Sequence, residues 1–290
     1  MKVGLITRNE NSWCSTQLKR SFRRKGVDVL CFGLSDLTAR VSHRPEVGLR
    51  GLDLVELDAV LVRPIGRGSL EEILFRLDML QKLSRSGLMV INNPSSIERS
   101  ADKYNTLAIM AEHRIRVPRT VVTESVAEAL KAFRSFGGDV IVKPIFGSRG
   151  IGAARISDID IAERVFRTLR FHRHVLYIQE YVEHGNSDIR AFVVGGHVVA
   201  AMRRIADSWK TNVSLGAKAV PVKLSENLER VAVTTAEVIG CEIAGVDLVD
   251  HGAQPVVLEI NSQPGWRGLQ TTTDKSISDC IADYVISRAR

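Results

Sequence analysis

The sequence predicts an α/β protein whose N-terminal domain is doubly wound and whose longer second region is built of α+β lobes. In residues 1–95, short apolar runs alternate with amphipathic helical patterns, which is typical of parallel β-α-β units. In residues 96–290, paired apolar runs enclose turn-forming residues, which indicates antiparallel hairpins. The chain has 290 residues and is 44% hydrophobic, so it is long enough for two domains with sizeable cores.

The elements of the first domain can be placed from the period of the apolar residues. The opening strand, the helix that stops before Gly26 and the next strand make one β-α-β unit, and a second helix and two further strands complete the sheet. The predicted strands are 2–7, 27–32, 58–62 and 88–92, and the predicted helices are 16–25 and 69–84.

The third of these strands runs into a glycine-punctuated loop, residues 63–68, that carries Arg63 and Arg67. In open α/β sheets, ligands bind at the carboxyl ends of the strands. Arginine in a rigid loop suits a carboxylate or a phosphate, so the sequence predicts an anion site here. The alternative is a surface turn whose arginines face water.

The second region is expected to begin with one linking helix and to continue in two lobes, residues 120–182 and 183–290. Ser125 starts a helix, and Gly195-Gly196 turns a hairpin between two long apolar strands. The predicted helices are 95–113, 125–136, 161–168 and 224–239, and the predicted strands are 120–123, 139–144, 176–182, 188–194 and 197–204.

A second hairpin, formed by residues 244–249 and 255–261 around the turn-like residues 250–254, carries three oxygen-bearing side chains. Glu259 and Asn261 are two residues apart on one strand and therefore point to the same face. Asp247 lies about opposite them on the other strand. Two carboxylates and an amide oxygen are ligands that Mg²⁺ or Mn²⁺ prefers. The alternative is a group of polar side chains on the wet face of an edge hairpin.

A glycine-rich loop follows the strand at 139–144, where a phosphate-binding loop is expected. Its glycines allow backbone N–H groups to approach phosphate oxygens, and Lys143 lies immediately before it on an apolar strand. A lysine on a buried strand needs an anionic partner, although it can also reach the surface through its long side chain. The residues assigned to this loop are Gly147, Ser148, Arg149, Gly150 and Gly152.

The strand at 176–182 ends in Glu180, Tyr181 and Val182. A glutamate between aromatic and aliphatic residues can accept from a base amino group while the backbone pairs with the ring edge. The sequence therefore offers a slot for adenine. An exposed glutamate on an edge strand is the alternative.

Charge and cysteine content exclude several classes of protein. The formal charge of +7 and the pI near 9.4 raise nucleic acid as a partner, but the densest basic segment, residues 19–25, has no interleaved aromatic residues. An anionic small-molecule substrate accounts for the charge, and no nucleic-acid partner is expected. The four cysteines occur singly, which indicates a reducing, cytoplasmic location and no zinc site. No apolar run approaches the length of a membrane span.

Taken as an ordered set, these segments resemble the ATP-grasp ligases, and within them the RimK-like α-L-glutamate ligases. The resemblance covers nearly the whole chain, although each motif alone is loose. It rests on Lys103, Lys143-Pro144, the loop 147–152, Gln179-Glu180-Tyr181, Asp188-Ile-Arg190, Trp209-Lys-Thr-Asn212, Asp247 and Glu259-Ile-Asn261.

The resemblance implies a site for ATP and about two Mg²⁺ (or Mn²⁺) ions in residues 96–290, behind an α/β domain that precedes the ATP-grasp fold. Lys103 and Lys143 would hold the phosphates under the glycine loop, Glu180 with the Tyr181–Val182 backbone would bind adenine, and Asp188 would bind the ribose. The implied metal ligands are Asp247, Glu259 and Asn261. The residues implied to face the transferred phosphoryl group or the acyl phosphate are Arg190, Arg203, Lys210 and Asn212.

Such enzymes phosphorylate a carboxylate with ATP, and an amine then attacks the acyl phosphate. This chemistry needs positioned charge rather than a covalent protein nucleophile, which agrees with the residue set. The resemblance implies L-glutamate as the amine. A nucleotide-sensing protein without turnover is the alternative from another class, and the oligomeric state, including a homo-oligomer, stays open.

Two departures from the family pattern concern the acceptor. After Asn212 the chain reads Val-Ser-Leu-Gly-Ala-Lys218, without the His-Arg of members that modify a ribosomal protein. After Asn261 it reads Ser-Gln-Pro-Gly-Trp-Arg-Gly-Leu269, which resembles the subgroup that adds glutamate to tetrahydromethanopterin. Trp266 would then stack on a pterin ring, and Arg63 and Arg67 would hold acceptor carboxylates. Alternatively, Trp266 is a packing residue, the arginines bind the amino acid, and the acceptor is a peptide or protein C-terminus.

Overall fold

A computed structural model of the chain describes residues 1–147, 150–252 and 254–289. The N-terminal elements appear in the predicted order, with a small additional sheet between the second and third predicted strands. They are β1 (Lys2–Ile6), α1 (Trp13–Arg24), β2 (Asp28–Phe32), β3 (Thr38–Ala39), β4 (Val47–Leu49), β5 (Leu52–Asp53), β6 (Ala59–Val62), α2 (Leu70–Arg85) and β7 (Met89–Ile91).

The main sheet of this domain has the strand order β2-β1-β6-β7, and all its pairings are parallel, which confirms the doubly wound prediction. Its helices begin where side chains cap them. Ser12 accepts from the Ser15 N–H, and Ser69 forms a capping box with Glu72. The small antiparallel sheet β3-β4-β5 was not predicted, because strands of two or three residues carry too little periodicity.

The linking segment is two helices, α3 (Pro94–Ala101) and α4 (Lys103–Glu112), and the prediction of one helix over 95–113 is wrong. Asp102 adopts an extended conformation and its carboxylate accepts from the N–H groups of Tyr104 and Asn105. An aspartate that caps a new helix in this way ends the preceding one. Lys103 is therefore the first residue of α4.

The following lobe is an antiparallel sheet of order β10-β9-β11-β8 with two helices on one face. Its core is formed by apolar residues that include Phe133, Phe166 and Ile178. The strand predicted at 139–144 stops at Val142, so that Lys143 lies just beyond it. The elements are β8 (Thr120–Thr123), α5 (Val126–Ser135), β9 (Val140–Val142), β10 (Ala154–Ile156), α6 (Ile159–Phe171) and β11 (Leu176–Glu180).

The last lobe is built on a five-stranded sheet of order β14-β13-β12-β15-β16. Both predicted hairpins are present in it, and α7 ends at Gly240, which adopts the left-handed conformation. The elements are β12 (Ser187–Val194), β13 (His197–Ile205), β14 (Lys218–Pro221), α7 (Glu226–Ile239), β15 (Ile243–Val249), β16 (Val256–Asn261), α8 (Arg267–Gln270) and α9 (Ile277–Arg288).

The two faces of this sheet pack on different parts of the molecule. Phe192 and Met202 join a core with Leu5 and Ile91 of the N-terminal domain. On the opposite face, alternate residues such as Val246 pack against α4 and α7. The sheet therefore separates the N-terminal domain from α4 and α7.

The final helix lies against the N-terminal domain rather than against its own lobe alone. Ile281 and Val285 of α9 share a core with Leu18 and Phe22 of α1. At its edge, Ser21 and Ser278 are joined by a hydrogen bond of 2.9 Å between their hydroxyls. In the part of the chain that the structure describes, no helix is both long and apolar enough to cross a membrane.

Candidate active site

The hairpin of β15 and β16 brings the three predicted metal ligands together. The register pairs Asp247 with Glu259 and Gly245 with Asn261, so that the three side chains belong to one face of adjacent strands. A bulge follows Asp247 in this pairing. The predicted hairpin and its turn are confirmed, and the metal-binding role of the three residues stays a prediction.

Asp247 is held by two arginines, Arg190 on the adjacent strand β12 and Arg204 on β13, the next strand beyond it. Arg190 forms a bidentate ion pair with it, and Arg204 approaches the same carboxylate at 2.9 Å. Burial raises the pKa of Asp247, but the two guanidinium groups outweigh burial and leave the pKa below its ordinary value. The carboxylate is therefore ionised and carries the charge that a divalent cation needs.

Asp188 does not have the position that its predicted ribose contact requires. It is 3% exposed, and its carboxylate forms a bidentate pair with Arg204 and accepts from the Thr211 hydroxyl at 2.7 Å. Burial raises the pKa of this carboxyl against the opposing effect of Arg204. In this conformation Asp188 is a buried partner of Arg204 rather than an oxygen offered to a sugar.

Two lysines and Glu259 line a narrow cleft between α4, the smaller lobe and β16. Lys143 donates to Gln179 Oε1 at 3.0 Å, and burial lowers its pKa to about 8 although Glu259 opposes the shift. Lys103 donates to the carbonyl oxygens of Ile145 at 3.0 Å and Gly147 at 2.7 Å. Lys103 therefore points to the start of the glycine loop, where phosphate was predicted, whereas Lys143 points to Gln179.

The glycine loop has the backbone that its composition predicts, as far as the structure describes it. Gly147, Gly150 and Gly152 have φ values of +139°, +68° and +79°. A Cβ on Gly150 would lie 2.8 Å from Oδ1 of Asn212, so the loop passes directly over that residue. Ser148 and Arg149 lie outside the described residues.

The predicted adenine residues line a cavity of about 180 Å³. Glu180, Tyr181 and Val182 form one side of it, and His251 belongs to the other. Glu180 already binds Arg119, which donates to it from the backbone at 2.8 Å and from the side chain at 2.5 Å. The backbone is also partly used, because the N–H groups of Glu180 and Tyr181 donate to the carbonyl oxygens of Arg119 at 2.9 Å and Asp139 at 3.2 Å. A base in this cavity would share the Glu180 carboxylate with Arg119.

The four residues predicted to face the phosphoryl group are not brought together. Arg190 is paired with Asp247, whereas Arg203 lies on the opposite face of the sheet from Arg204 and donates to the Ser187 hydroxyl at 3.3 Å. Lys210 has its ammonium 5.1 Å from the Trp209 ring. Of the four, Asn212 alone contacts the glycine loop among the residues that the structure describes.

The predicted acceptor residues are arranged differently from expectation. Trp266 is fully buried, with Arg63 at 4.7 Å from its ring centroid and with the rings of Trp13 and Phe192 in T-shaped contacts at centroid distances of 6.3 and 6.0 Å. No face of the indole is open to a pterin, so the stacking prediction is wrong, and the faces of the ring serve in packing. Arg63 is also buried, and Arg67 is exposed.

Sequence reasoning missed Arg204 and gave no role to Gln179 and Thr211. Arg204 contacts both Asp188 and Asp247, and Gln179 links Lys143 to Thr120 through its amide. The signal for Arg204 lay in the hairpin around Gly195-Gly196, because its register places Arg204 opposite Asp188. Only the register of that hairpin, which includes a bulge, shows that Arg204 rather than Arg203 is the partner of Asp188.

The oxygen donors at the hairpin fit magnesium that arrives with phosphates. Mg²⁺ is usually bound through one or two carboxylates while waters and substrate phosphates complete its shell. Within residues 1–147, 150–252 and 254–289, no three His, Cys, Asp or Glu side chains are grouped as a cage for a metal. Two carboxylates and an amide on a hairpin whose Glu259 lines one cleft with Lys103 and Lys143 match the first arrangement.

Family models match both parts of the chain. The model of the RimK PreATP-grasp domain matches residues 1–97, and the model of the RimK-like ATP-grasp domain matches residues 100–285. The fold and the site define an ATP-grasp enzyme. Within that class, the chain belongs to the RimK-like family of ATP-dependent ligases that form amide bonds.

Relatives and solved structures match over the same length. The tetrahydromethanopterin:alpha-L-glutamate ligase of Methanocaldococcus jannaschii is 33% identical over 99% of this chain and 98% of its own. A probable alpha-L-glutamate ligase of Vibrio vulnificus is 30% identical over 100% of this chain and 97% of its own. The ATP-grasp ligase PsnB, solved with minimal precursor, Mg and ADP, shares the fold with a TM-score of 0.76 at 18% identity, covering 99% of this chain and 98% of that chain.

Proposed function

We propose that this enzyme is an α-L-glutamate ligase, which uses ATP and Mg²⁺ to join the amino group of L-glutamate to an acceptor carboxylate. The observation that carries the proposal is the register of β15 and β16, which pairs Asp247 with Glu259 beside the cleft of Lys103 and Lys143. The relatives named alpha-L-glutamate ligase support the choice of amino acid.

In this proposal each charged group has a part in moving one phosphoryl group. Bound MgATP supplies an activated phosphoryl group whose charge the metal partly neutralises. Lys103 and Lys143 hold the phosphate oxygens, and Asp247, Glu259 and Asn261 hold about two ions, Mg²⁺ or Mn²⁺. Arg190 would exchange its pairing with Asp247 for the oxygens of the transferred phosphoryl group or of the acyl phosphate.

The remaining predicted residues orient the nucleotide and keep the site dry. The backbone of residues 180–182 takes adenine in the cavity, and the glycine loop closes against Asn212. Exclusion of water protects the acyl phosphate until the amine attacks it. Lys210, Arg203 and Arg149 stay proposed contacts of the phosphates or the acyl phosphate.

For the acceptor we propose a reduced pterin that carries a carboxylate, as the name of the Methanocaldococcus relative suggests. Because Trp266 is buried, ring stacking does not support a pterin acceptor. The support comes from the sequence similarity to that relative over nearly the whole chain. The four cysteines are all free, which suits the cytoplasm as the proposed location.

The test is mass spectrometry of reactions that contain ATP, Mg²⁺ and L-glutamate. One reaction receives a reduced pterin with a carboxylate side chain, and a second receives a peptide that ends in glutamate. A mass gain of one glutamyl residue on the pterin, with ADP and phosphate released, is the expected result. A gain on the peptide alone would replace the proposed acceptor, and transfer of another amino acid but not of glutamate would overturn the proposal.

A further inference from the structure

The loop of residues 63–68 faces the segment 262–266 across the boundary between the N-terminal domain and the last lobe. Arg63 donates to the Pro264 carbonyl at 2.7 Å, and the Ile65 N–H donates to Gln263 Oε1 at 3.3 Å. Arg76 holds the loop from behind by donating to the carbonyl oxygens of Ile65 at 3.2 Å and Arg67 at 2.9 Å. The two segments are thus fixed against each other.

Between these segments lie two hydrogen-bond donors without a partner among the described residues, beside the Arg63 guanidinium, which donates to the Pro264 carbonyl. The Trp266 Nε1 and Gln263 Nε2 atoms are buried, and neither has a hydrogen-bond partner among the residues that the structure describes. Because Gln263 Oε1 accepts from the Ile65 backbone, the amide is oriented and its NH₂ group must be the free end. Arg63 is the third donor.

Arg63 is a buried cation without a countercharge. Its side chain is 6% exposed, and no described Asp or Glu oxygen lies within 4 Å of its nitrogens to form an ion pair. Burial lowers the pKa of this guanidinium, and the nearby Cys14 thiol offsets the effect only in part. A buried charge and unpaired donors are costly unless an acceptor meets them.

We propose that Arg63, the Gln263 amide and the Trp266 indole N–H form a binding site for an aliphatic carboxylate. The inference rests on the proposed function, because that function supplies two such groups, the carboxylates of L-glutamate and of the acceptor. Gly265 lies exposed between Gln263 and Trp266, and a Cβ there would meet nothing within 4 Å, so the segment is open to solvent at this point. Trp266 thus serves the substrate through its edge rather than its face.

The first measurement is binding of glutarate, with glutaramide as the uncharged isostere, by calorimetry on the intact protein without ATP. Glutarate is expected to bind and glutaramide to bind at least tenfold more weakly, because a hydrogen bond to a charged group contributes about 1.5 to 3 kcal/mol. Equal affinity for the two compounds, or binding of neither, would overturn the proposal.

Two variants test the donors separately. Trp266→Phe removes the indole N–H and keeps an aromatic ring, so the glutarate Kd should rise about tenfold. Trp13→Phe, which changes the neighbouring ring at 6.3 Å, is the matched control and should leave the Kd unchanged. Gln263→Glu keeps the acceptor for Ile65 but places a carboxylate near Arg63; it should abolish glutarate binding and raise the melting temperature of the free protein.

Kinetics with the same variants assign the carboxylate. A rise in KM for L-glutamate alone identifies the amino acid as the occupant, and a rise in KM for the acceptor alone identifies the acceptor; the KM for ATP should not change. If glutarate binds and the variants weaken it, but the enzyme transfers no glutamate, the site stands and the proposed function fails. Unchanged glutarate affinity in both folded variants would contradict the site itself.

Discussion

Asp247 and Glu259 are paired across one hairpin, yet their surroundings differ. Asp247 neutralises Arg190 and Arg204 in a buried network, whereas no ion pair to Glu259 is formed by the described residues. Removing one partner from a buried ion pair leaves an uncompensated charge, which costs about 3 to 5 kcal/mol. Substitution of Asp247 should therefore change both stability and activity, whereas substitution of Glu259 should change activity with little effect on stability.

We expect Glu259→Gln to lower ATP turnover by about a hundredfold or more, since even outer-shell partners of a metal contribute 10- to 100-fold, while the free energy of unfolding changes little. Asp247→Asn should lose turnover and also about 3 kcal/mol of stability. Turnover assays and urea unfolding of both variants, with the exposed Glu237→Gln as control, measure the difference. An active Glu259→Gln would refute the metal assignment.

Lys143 should make nucleotide binding depend on pH. Its pKa of about 8 in the free protein means that the ammonium loses its proton as pH rises through 8, so the Kd for ATP should rise between pH 7.5 and 9.5. An arginine keeps its charge over this range, so Lys143→Arg should flatten the profile. Calorimetric titrations at several pH values are the measurement, and parallel profiles for the two proteins would exclude Lys143 as the titrating group.

Lys143 also makes the free energy of unfolding depend on pH. Because the unfolded lysine titrates near its ordinary value of 10.5, the unfolded chain binds more protons than the folded chain between pH 8 and 10.5. The contribution of Lys143 to stability therefore rises with pH over that interval. Below pH 8 the cost of burying its charge is fully present.

The glycine loop is the element whose geometry can be tested by single alanine substitutions. Gly150 and Gly252 both have φ of +68°, so alanine costs each the same backbone strain, about 1 kcal/mol. At Gly150 the new Cβ would lie 2.8 Å from Asn212 Oδ1, whereas at Gly252 nothing lies within 4 Å. We expect Gly150→Ala to lower kcat/KM for ATP about tenfold and Gly252→Ala to retain it. Equal activities would mean that the contact between the loop and Asn212 is not used in turnover.

Elements whose apolar residues recur at a regular spacing were predictable from the sequence. Very short strands, and the helix boundary that the Asp102 cap sets, were not. The alternation of strands and helices in residues 1–95 gave the parallel sheet, because each element is long enough to show its apolar face. The break at Asp102 was invisible to periodicity, since α3 has only eight residues and few of them are apolar. The small sheet of residues 38–53 depends on contacts with α2 and β6 that only the fold provides.

The candidate site was predictable as a list of residue types but not as a set of pairings. The order of Lys103, Lys143 and Glu259 along the chain identified groups that the structure does place around one cleft. The ion pairs of Asp247 arise from strands that meet only after folding, so the sequence could not show them. Trp266 was misread because its position after a glycine turn gave no measure of burial.

At the scale of the whole molecule, Asn92 joins the two domains. It is 2% exposed and donates to the carbonyl oxygens of Ile243 at 2.7 Å and Ser262 at 2.5 Å, while its Oδ1 accepts from the Ile243 N–H at 2.7 Å. These contacts hold Ile243, where the hairpin that carries Asp247 and Glu259 begins, and Ser262, which directly follows its last residue. Asn92 is therefore a positioning residue for the site.

We expect Asn92→Ala to lower the free energy of unfolding by about 3 kcal/mol or more, because it leaves several buried backbone groups without partners. Asn93→Ala, which removes only the cap of α3, should cost about 1 kcal/mol. Urea unfolding followed by tryptophan fluorescence compares the two. Equal midpoints would show that the side chain of Asn92 does not tie the domains together.

The contact between α9 and α1 also governs how the protein is made. Ser21 and Ser278, which bond to each other, are 257 residues apart, so a ribosome that adds about 5 to 20 residues per second needs about ten seconds to a minute between them. Throughout that time, the apolar side chains of α1 that α9 will cover face solvent or a chaperone. The core of the N-terminal domain is thus completed only when α9 has been synthesised. Until then, the exposed apolar face of α1 makes the nascent chain prone to aggregation.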